Sequence, residues 1–275
     1  MATNGELVVA GVRSPYSEVG DQGDRDAVVF VHGNPGPATD WSDLLECVGE
    51  FARGIAMDFP GYGTADRPRH FDYTISGYAR HLDGALAELG VDHAHIVAHD
   101  FGGPWALAWA AQHPEKFVSA TLINTGVLIG YRWHRVARIW RTPVLGEVLT
   151  VCTTQLAAKA VLRLENPGLR GMALDSVARA IVQSSNRAVL GLYRATPAEA
   201  LAAPTQALAS LDRPALVIWG ESEAYLPLEQ AELQRRAFPS ARVVTLPNTG
   251  HWAMHERPGD LRDIVLPFLR EQTVR

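Results

Sequence analysis

The chain has 275 residues, of which 47% are hydrophobic and 20% charged, and its formal net charge is −5 at pH 7. This balance excludes a disordered chain, which would contain few apolar residues, and the length predicts one large domain, or one domain with an insertion. The negative charge and the scattered arginines exclude a nucleic-acid-binding surface, which would need a basic stripe.

The cysteines and the N-terminus predict the compartment. Cys47 and Cys152 are too few for a disulfide framework, and their spacing fits no zinc motif. Residues 1–11 lack the basic start and apolar run of a signal peptide, and no stretch approaches the roughly 20 apolar residues of a membrane span. We therefore expect a cytoplasmic protein with no membrane partner, no metal and no other cofactor. No heptad pattern indicates an oligomeric state, which stays open.

Apolar, β-branched runs that stop at glycine or proline predict a series of buried strands. In chain order these runs are residues 28–31, 55–58, 96–98, 121–123, 215–219 and 243–246. Apolar residues at helical spacing predict helices over 76–89, 104–113 and 260–270. Strands that alternate with helices indicate a mostly parallel sheet covered by helices on both faces.

The middle of the chain breaks this alternation. Residues 131–209 contain no strong strand run and are rich in alanine, leucine and arginine, which predicts helices. The chain is therefore predicted to consist of an α/β core, formed by residues 1–130 and 210–275, with an inserted helical segment at residues 131–209.

Asp100 lies between a predicted strand and a predicted helix, in the segment Ala98-His99-Asp100-Phe101-Gly102. Small residues two positions before and two after Asp100 permit a sharp turn that projects the central side chain above the sheet. The pattern predicts a nucleophile. The alternative is that Asp100 only caps the following helix.

The segment His32-Gly33-Asn34-Pro35 ends the first predicted strand. The backbone N–H groups of Asn34 and Phe101 are predicted to form an oxyanion hole, and His32 is counted among the substrate-binding residues. The alternative is a turn that glycine and proline build without any catalytic role.

A base and its acid partner follow the last two predicted strands. His251 comes after the final strand and is a candidate general base. Glu223, three residues after Gly220, is the candidate acid that orients it, and Glu221 is the alternative. Asp100, Glu223 and His251 then follow the chain order nucleophile, acid, base.

With these residues in this order, the chain resembles the α/β-hydrolase superfamily, and Phe59-Pro60-Gly61-Tyr62-Gly63 is similar to a further loop of that family. The resemblance implies an α/β-hydrolase fold whose inserted segment is a helical cap over the site. An aspartate nucleophile is similar to the branch that contains epoxide hydrolases and haloalkane dehalogenases.

The aspartate restricts the chemistry. Its carboxylate is ionised at neutral pH, and attack on an ester carbonyl would give an anhydride. Attack on a saturated carbon instead gives an alkyl ester of the enzyme, which a water activated by His251 hydrolyses. A small-molecule substrate with an epoxide or a halide leaving group fits this scheme.

For an epoxide, the oxygen needs a hydrogen-bond donor from the cap. Tyr193, followed by Arg194, resembles the tyrosine–arginine segment of epoxide hydrolases, whose tyrosine holds the epoxide oxygen. Tyr131 is a second candidate. The alternative is that Tyr193 only packs in the cap.

For a halide, the sequence around Asn34 resembles that of haloalkane dehalogenases, in which this asparagine side chain binds the halide. Phe101 stands where those enzymes place a tryptophan, so Trp105 or Trp133 would have to donate instead. The alternative for Trp105, which lies four residues before Trp109 on a predicted helix, is a place in the core. Trp133, His134 and Tyr193 are loosely similar to the cap residues of fluoroacetate dehalogenases, which usually have an arginine where this chain has Phe101. Two further functions stay open: a biosynthetic cyclase or lyase on the same scaffold, and a small-molecule receptor that uses the hydrolase pocket.

Overall fold

A computed structural model describes residues 2–273 and contains one eight-stranded sheet. The strands are β1 (Thr3–Val9), β2 (Val12–Val19), β3 (Asp26–Val31), β4 (Arg53–Met57), β5 (His93–His99), β6 (Phe117–Ile123), β7 (Ala215–Gly220) and β8 (Arg242–Leu246). Their order across the sheet is β1-β2-β4-β3-β5-β6-β7-β8. All pairs from β4 to β8 are parallel, whereas β1 and β2 pair antiparallel at one edge.

Helices cover both faces of this sheet. They are α1 (Ser42–Val48), α2 (Ile75–Glu88), α3 (Gly102–Gln112), α4 (Arg135–Arg141), α5 (Leu145–Cys152), α6 (Gln155–Glu165), α7 (Gly171–Gln183), α8 (Asn186–Ala195), α9 (Thr205–Leu211), α10 (Glu229–Leu233), α11 (Ala253–Glu256) and α12 (Pro258–Thr273). In β3, Val29 and Val31 pack with α2 and α3, while Val28 and Phe30 pack with α1 and α12. Because both faces are buried, the parallel strands are continuous apolar runs. The predicted mostly parallel α/β architecture is confirmed.

The six predicted strands are present, and most begin a few residues earlier than the apolar runs do. The β1–β2 hairpin is absent from the sequence-based prediction. β1 lies at the edge of the sheet and buries only Leu7, and β2 contains Pro15 and several polar residues, so neither strand has an apolar run. An edge hairpin leaves a weaker sequence signal than a central strand.

The described residues 124–214, between β6 and β7, contain helices α4 to α9 and no strand. These helices agree with the helical segment that the sequence predicts between the two parts of the core. The exact boundaries of that segment, residues 131–209, stay a prediction. Within residues 2–273, no single helix is long and apolar enough to cross a membrane; α5 and α6 pass that test only as a pair bent by 103°.

The turn between β5 and α3 depends on glycine. Asp100 has a φ of 48°, in the left-handed region that few L-residues adopt. Gly102 lies so close to the end of β3 that a Cβ atom there would be 2.3 Å from the carbonyl oxygen of Val31. A side chain at position 102 would therefore push α3 away from the sheet and displace Asp100.

Because of this close approach, we expect alanine substitutions at two helical glycines to differ in their effect on stability. We expect Gly102→Ala to lower the free energy of unfolding by about 1–3 kcal/mol, because the new methyl group has no space. Gly259→Ala in α12, where a Cβ atom meets nothing within 4 Å, should leave it unchanged or raise it by up to about 1 kcal/mol. Urea denaturation of both variants measures this. Equal stabilities would contradict the steric account.

Candidate active site

Five polar residues lie at one edge of the sheet. Asn34 follows β3, Asp100 follows β5, Asn124 follows β6, Glu223 follows β7 and His251 follows β8. These strands are parallel neighbours, so their carboxyl ends meet at the same edge, which is where open α/β sheets place their sites.

Three of these residues form a contiguous chain of contacts. His251 Nε2 lies 3.5 Å from Asp100 Oδ2, and His251 Nδ1 lies 2.8 Å from Glu223 Oε2. The side chains of His251 and Glu223 are 3% and 1% exposed, and that of Asp100 is 14% exposed. The structure thus brings together the three residues that chain order had singled out.

Glu223, rather than Glu221, makes the contact with the histidine. Glu223 Oε1 accepts hydrogen bonds from the backbone N–H groups of Tyr225 and Leu226, at 2.8 and 3.3 Å. Oε2 accepts from the side-chain amide of Asn124 as well as from His251. Glu221 is exposed. The acid is therefore held in a fixed orientation by four donors.

The charges of this cluster shift its pKa values. Burial lowers the pKa of His251, but the charges and hydrogen bonds of Glu223 and Asp100 outweigh burial and raise the pKa to about 10. Burial raises the pKa of Asp100, but the hydrogen bond and charge of His251 outweigh burial and hold it below its usual value. At neutral pH Asp100 is therefore a carboxylate and His251 an imidazolium.

One carboxylate oxygen of Asp100 accepts a hydrogen bond from the backbone. The N–H of Asn34 donates to Asp100 Oδ1 at 2.7 Å. Within residues 2–273, the N–H of Phe101 has no protein acceptor, and it lies at the start of α3. Asp100 Oδ2 faces His251 instead. The two carboxylate oxygens therefore have different environments.

A cavity of about 330 Å³ lies above Asp100, beneath the helices that follow β6. This size fits a small organic molecule. Its wall includes both Asp100 and His251, and six further residues from the sequence-based set: Asn34, Phe101, Tyr131, Trp133, His134 and Tyr193. Most of the remaining wall is aliphatic or aromatic, so a bound molecule would be largely removed from water.

Several polar groups on this wall are available to a ligand. In the described part of the chain, Asn34 Nδ2 and Trp133 Nε1 are buried and have no hydrogen-bond partner. The Tyr131 hydroxyl, by contrast, donates to the carbonyl oxygen of Tyr225 at 3.2 Å. His134 Nδ1 accepts from the N–H of Ala137, which caps α4. A buried donor without a partner costs free energy, so the two free N–H groups require an explanation.

Tyr193 lies beside these donors. Its ring packs edge-on against Phe101, at a centroid distance of 5.1 Å, and against Trp133 at 5.3 Å. Burial raises the pKa of Tyr193 well above its usual value, and the charge of Asp100 adds to this rise. The phenol is therefore neutral at physiological pH.

Two predicted substrate-binding residues do not line the cavity. Trp105 is fully buried and stacks on Tyr78 at a centroid distance of 4.0 Å, because its position on α3 turns it toward the core. His32 is 1% exposed, and its Nε2 accepts from the N–H of Phe59 at 3.0 Å. His32 thus joins two loops, and neither residue can touch a ligand in this cavity.

Three residues of the site are missing from the sequence-based set. Asn124 directly follows a predicted strand, so the rule that located Glu223 and His251 could have found it. Asn166 comes from the inserted segment; its Oδ1 accepts from the backbone N–H of His251 at 3.2 Å, and its Nδ2 donates to the Tyr225 hydroxyl at 3.1 Å. The Tyr225 ring packs edge-on against His251. No local pattern marks Asn166 or Tyr225.

Comparisons with known proteins agree on the architecture. A family model described as alpha/beta hydrolase fold matches residues 26–258. The 2-hydroxymuconate semialdehyde hydrolase of Pseudomonas putida is 27% identical over 275 residues, which cover 97% of this chain and 94% of that protein.

Similar solved structures include Epoxide Hydrolase A from Mycobacterium thermoresistibile, with a TM-score of 0.82 at 19% identity and 100% coverage of both chains. A haloalkane dehalogenase, the DbeA-M1 loop variant from Bradyrhizobium elkanii, has a TM-score of 0.80 at 23% identity and covers 98% of this chain and 97% of its own. At these identities the likeness establishes the fold alone, and the chemistry rests on the site.

The contact between Glu223 and His251 predicts a coupled titration. We expect Glu223→Gln to lower the pKa of His251 from about 10, because the Glu223 charge favours the imidazolium. Glu221→Gln is the matched control, since Glu221 is exposed. Histidine NMR across the pH range measures both.

The raised pKa of His251 also predicts how the free energy of unfolding changes with pH. Because the folded-state pKa of His251 lies above its ordinary value of 6.5, its stabilising contribution is full below pH 6.5 and is lost as the pH rises through 10. The free energy of unfolding should therefore fall more steeply over this window in the wild type than in Glu223→Gln. Parallel curves for the two proteins would contradict the arrangement.

Proposed function

The chain belongs to the α/β-hydrolase fold family, and on that premise we propose that it opens epoxides to diols through an ester formed on Asp100. The observation that supports this most directly is the Tyr193 hydroxyl, a neutral donor on the wall of an apolar cavity whose floor is an ionised carboxylate. Nucleophile and donor lie on one enclosed volume, as ring opening requires.

In the first step, Asp100 attacks one carbon of the epoxide. Since Oδ1 accepts from the N–H of Asn34, Oδ2 is the oxygen that forms the new C–O bond. The ring C–O bond breaks, and its electron pair stays on the departing oxygen, which remains attached to the substrate. Tyr193 donates the proton to that oxygen, and the imidazolium of His251 returns a proton to the tyrosinate through solvent.

The ester changes the charge next to His251. An alkylated Asp100 has no negative charge, so one of the two groups that hold the pKa of His251 at about 10 is removed. The pKa of the histidine therefore falls, and the neutral imidazole becomes a base at the moment when one is needed. Glu223 keeps its charge and holds Nδ1–H, which directs Nε2 toward the ester.

In the second step, Nε2 of His251 takes a proton from water, and the resulting hydroxide adds to the ester carbonyl of Asp100. The oxyanion that develops at Oδ1 accepts hydrogen bonds from the N–H groups of Asn34 and Phe101. Collapse breaks the bond to the substrate and releases the diol, whose new hydroxyl takes a proton from the carboxylic acid or from His251. The second proton stays on His251, so the starting charges return.

Dehalogenation is the second candidate, because of the two buried N–H groups without a partner. Asn34 Nδ2 and Trp133 Nε1 both line the cavity, and a halide ion would accept from both. Trp133 stacks over Phe101, with ring centroids 6.2 Å apart, so it can occupy the space beside the residue that follows the nucleophile. In an epoxide hydrolase the same donors would bind the ring oxygen together with Tyr193.

We further propose that residues 131–209 form the cap that closes the cavity and selects the substrate. Tyr193, Trp133 and His134 come from this segment and face Asp100 from above. We place the protein in the cytoplasm, where a reducing environment suits its free thiols, Cys47 and Cys152.

Loss of the base should trap the ester. We expect His251→Gln to accumulate a covalent adduct when incubated with a panel of alkyl and aryl epoxides, because the alkylation step survives and hydrolysis does not. Intact-protein mass spectrometry followed by peptide mapping measures the adduct. A mass gain equal to a whole epoxide on Asp100 supports the proposal, and a haloalkane adduct lacking hydrogen halide supports the second candidate.

The control for this experiment is the double variant Asp100→Asn with His251→Gln, which should form no adduct. An adduct of equal size in the double variant, or one mapped to a different residue, would contradict the role proposed for Asp100.

Two tyrosines on the cavity wall should differ in effect. We expect Tyr193→Phe to slow alkylation by about 10²–10⁴-fold, as loss of a general acid does. Tyr131→Phe is the matched control, since its hydroxyl already donates to the carbonyl oxygen of Tyr225. The rate of adduct growth in the His251→Gln background measures both. A larger loss for Tyr131→Phe would assign the donor role to Tyr131 instead.

A further inference from the structure

Helices α5 and α6 of the cap expose apolar side chains to the outside. In α6, positions 156, 157, 160, 161 and 164 are all exposed, and all hold leucine, alanine or valine. Leu156 is 76% and Leu164 84% exposed. Three residues of α5 are exposed in the same way. We define the apolar cap face as Leu145, Val148, Val151, Leu156, Val161 and Leu164.

This surface is concentrated in one region. Among residues 2–273, ten of the twelve large hydrophobic side chains that are exposed lie between positions 139 and 182; the other two are Val8 and Leu228. A helix of a globular protein normally turns its apolar side inward, and a contiguous exposed patch marks an interaction site. α5 and α6 therefore have the composition of helices whose outer sides contact another apolar surface.

The charge of the cap indicates what kind of apolar surface this is. Residues 131–209 contain ten lysines and arginines and four acids, a net charge of +6, so the remainder of the chain has −11. Asp175 pairs with Lys159, and Glu147 pairs with Arg194. Exposed arginines of the cap remain, and in the described part of the chain Arg163 of α6 has no carboxylate within 4 Å. An apolar surface next to unpaired arginines is complementary to an anionic lipid surface.

We propose that the apolar cap face docks on an anionic lipid surface. The pair α5–α6 is bent by 103°, and two short helices at this angle can lie in the interface with their apolar sides among the acyl chains. A symmetric dimer through the same face would bring two caps of +6 together, which their charges oppose. A lipid partner differs from the expectation, drawn from the sequence, that the protein has no membrane partner.

The cavity and this exposed region have residues in common. Ile139, Cys152 and Val161 line the cavity and are also exposed at the outer surface. A lipophilic molecule dissolved in the lipid could therefore reach Asp100 without crossing water. Docking itself is independent of the chemistry at Asp100, whereas delivery of a lipophilic epoxide rests on the proposed function.

Vesicle flotation of the full chain tests the docking. We expect the wild type to float with vesicles of phosphatidylcholine containing about a quarter phosphatidylglycerol, and much less with phosphatidylcholine alone. Leu156→Gln with Leu164→Gln should weaken binding about tenfold, and Val8→Gln, at an exposed apolar residue outside the cap, should not. Neither leucine lines the cavity, and both are exposed, so the melting temperature should be unchanged.

A second pair of variants tests the electrostatic part. Arg163→Gln and Arg179→Gln should each weaken binding about fivefold at low salt, while Arg236→Gln, an exposed arginine outside the cap, should have little effect. Raising the salt concentration should weaken wild-type binding. Asp100→Asn should float like the wild type, which separates docking from catalysis.

Three results would overturn the proposal. The first is no flotation with the anionic vesicles. The second is flotation that the cap variants and the outside controls change equally. The third is a dimer in sedimentation that Leu156→Gln with Leu164→Gln converts to a monomer, since a second copy of the chain would then occupy the face.

Discussion

One positive charge, on His251, holds two buried carboxylates at the edge of the sheet. Burying Asp100 and Glu223 together would be costly without it, because each charge loses its hydration. The surrounding structure serves this arrangement: backbone N–H groups and the amide of Asn124 fix Glu223, and the left-handed backbone conformation of Asp100, directly after β5, presents its carboxylate. In the proposed mechanism, esterification of Asp100 removes one of the two negative charges, so the first chemical step prepares the base for the second.

The fold could be predicted because a parallel sheet buried on both faces must be built from apolar runs. The chain order of Asp100, Glu223 and His251 located this cluster for the same reason, since each residue lies in the loop that follows such a run. Edge strands and residues of the cap lack this signal. Trp105 shows the limit: its sequence distance from Asp100 suggested proximity to a ligand, but the helical turn directs it into the core. Asn166 reaches His251 only through tertiary packing, which no local pattern encodes.

The proposed cap has different chemistry on its two sides. Its inner side places Trp133, His134 and Tyr193 over Asp100, where unpaired donors face an apolar volume. Its outer side exposes leucines and valines beside arginines. Both sides violate the usual rule that polar groups face water and apolar groups face the interior, and such local violations are expected at functional surfaces. Asn166, directly after α6, accepts a hydrogen bond from the backbone N–H of His251, so the inserted segment is connected to the loop of this histidine.

The central claim is that the carboxylate of Asp100, and not water, forms the first bond to the substrate. A single turnover in H₂¹⁸O, with enzyme in excess over an epoxide that labels the His251→Gln variant, tests it most directly. The account predicts ¹⁸O in the peptide that contains Asp100 and none in the diol, because water attacks the ester carbonyl and the oxygen of Asp100 leaves with the product. Label in the diol and none at Asp100 would contradict it, since water would then have attacked the substrate itself.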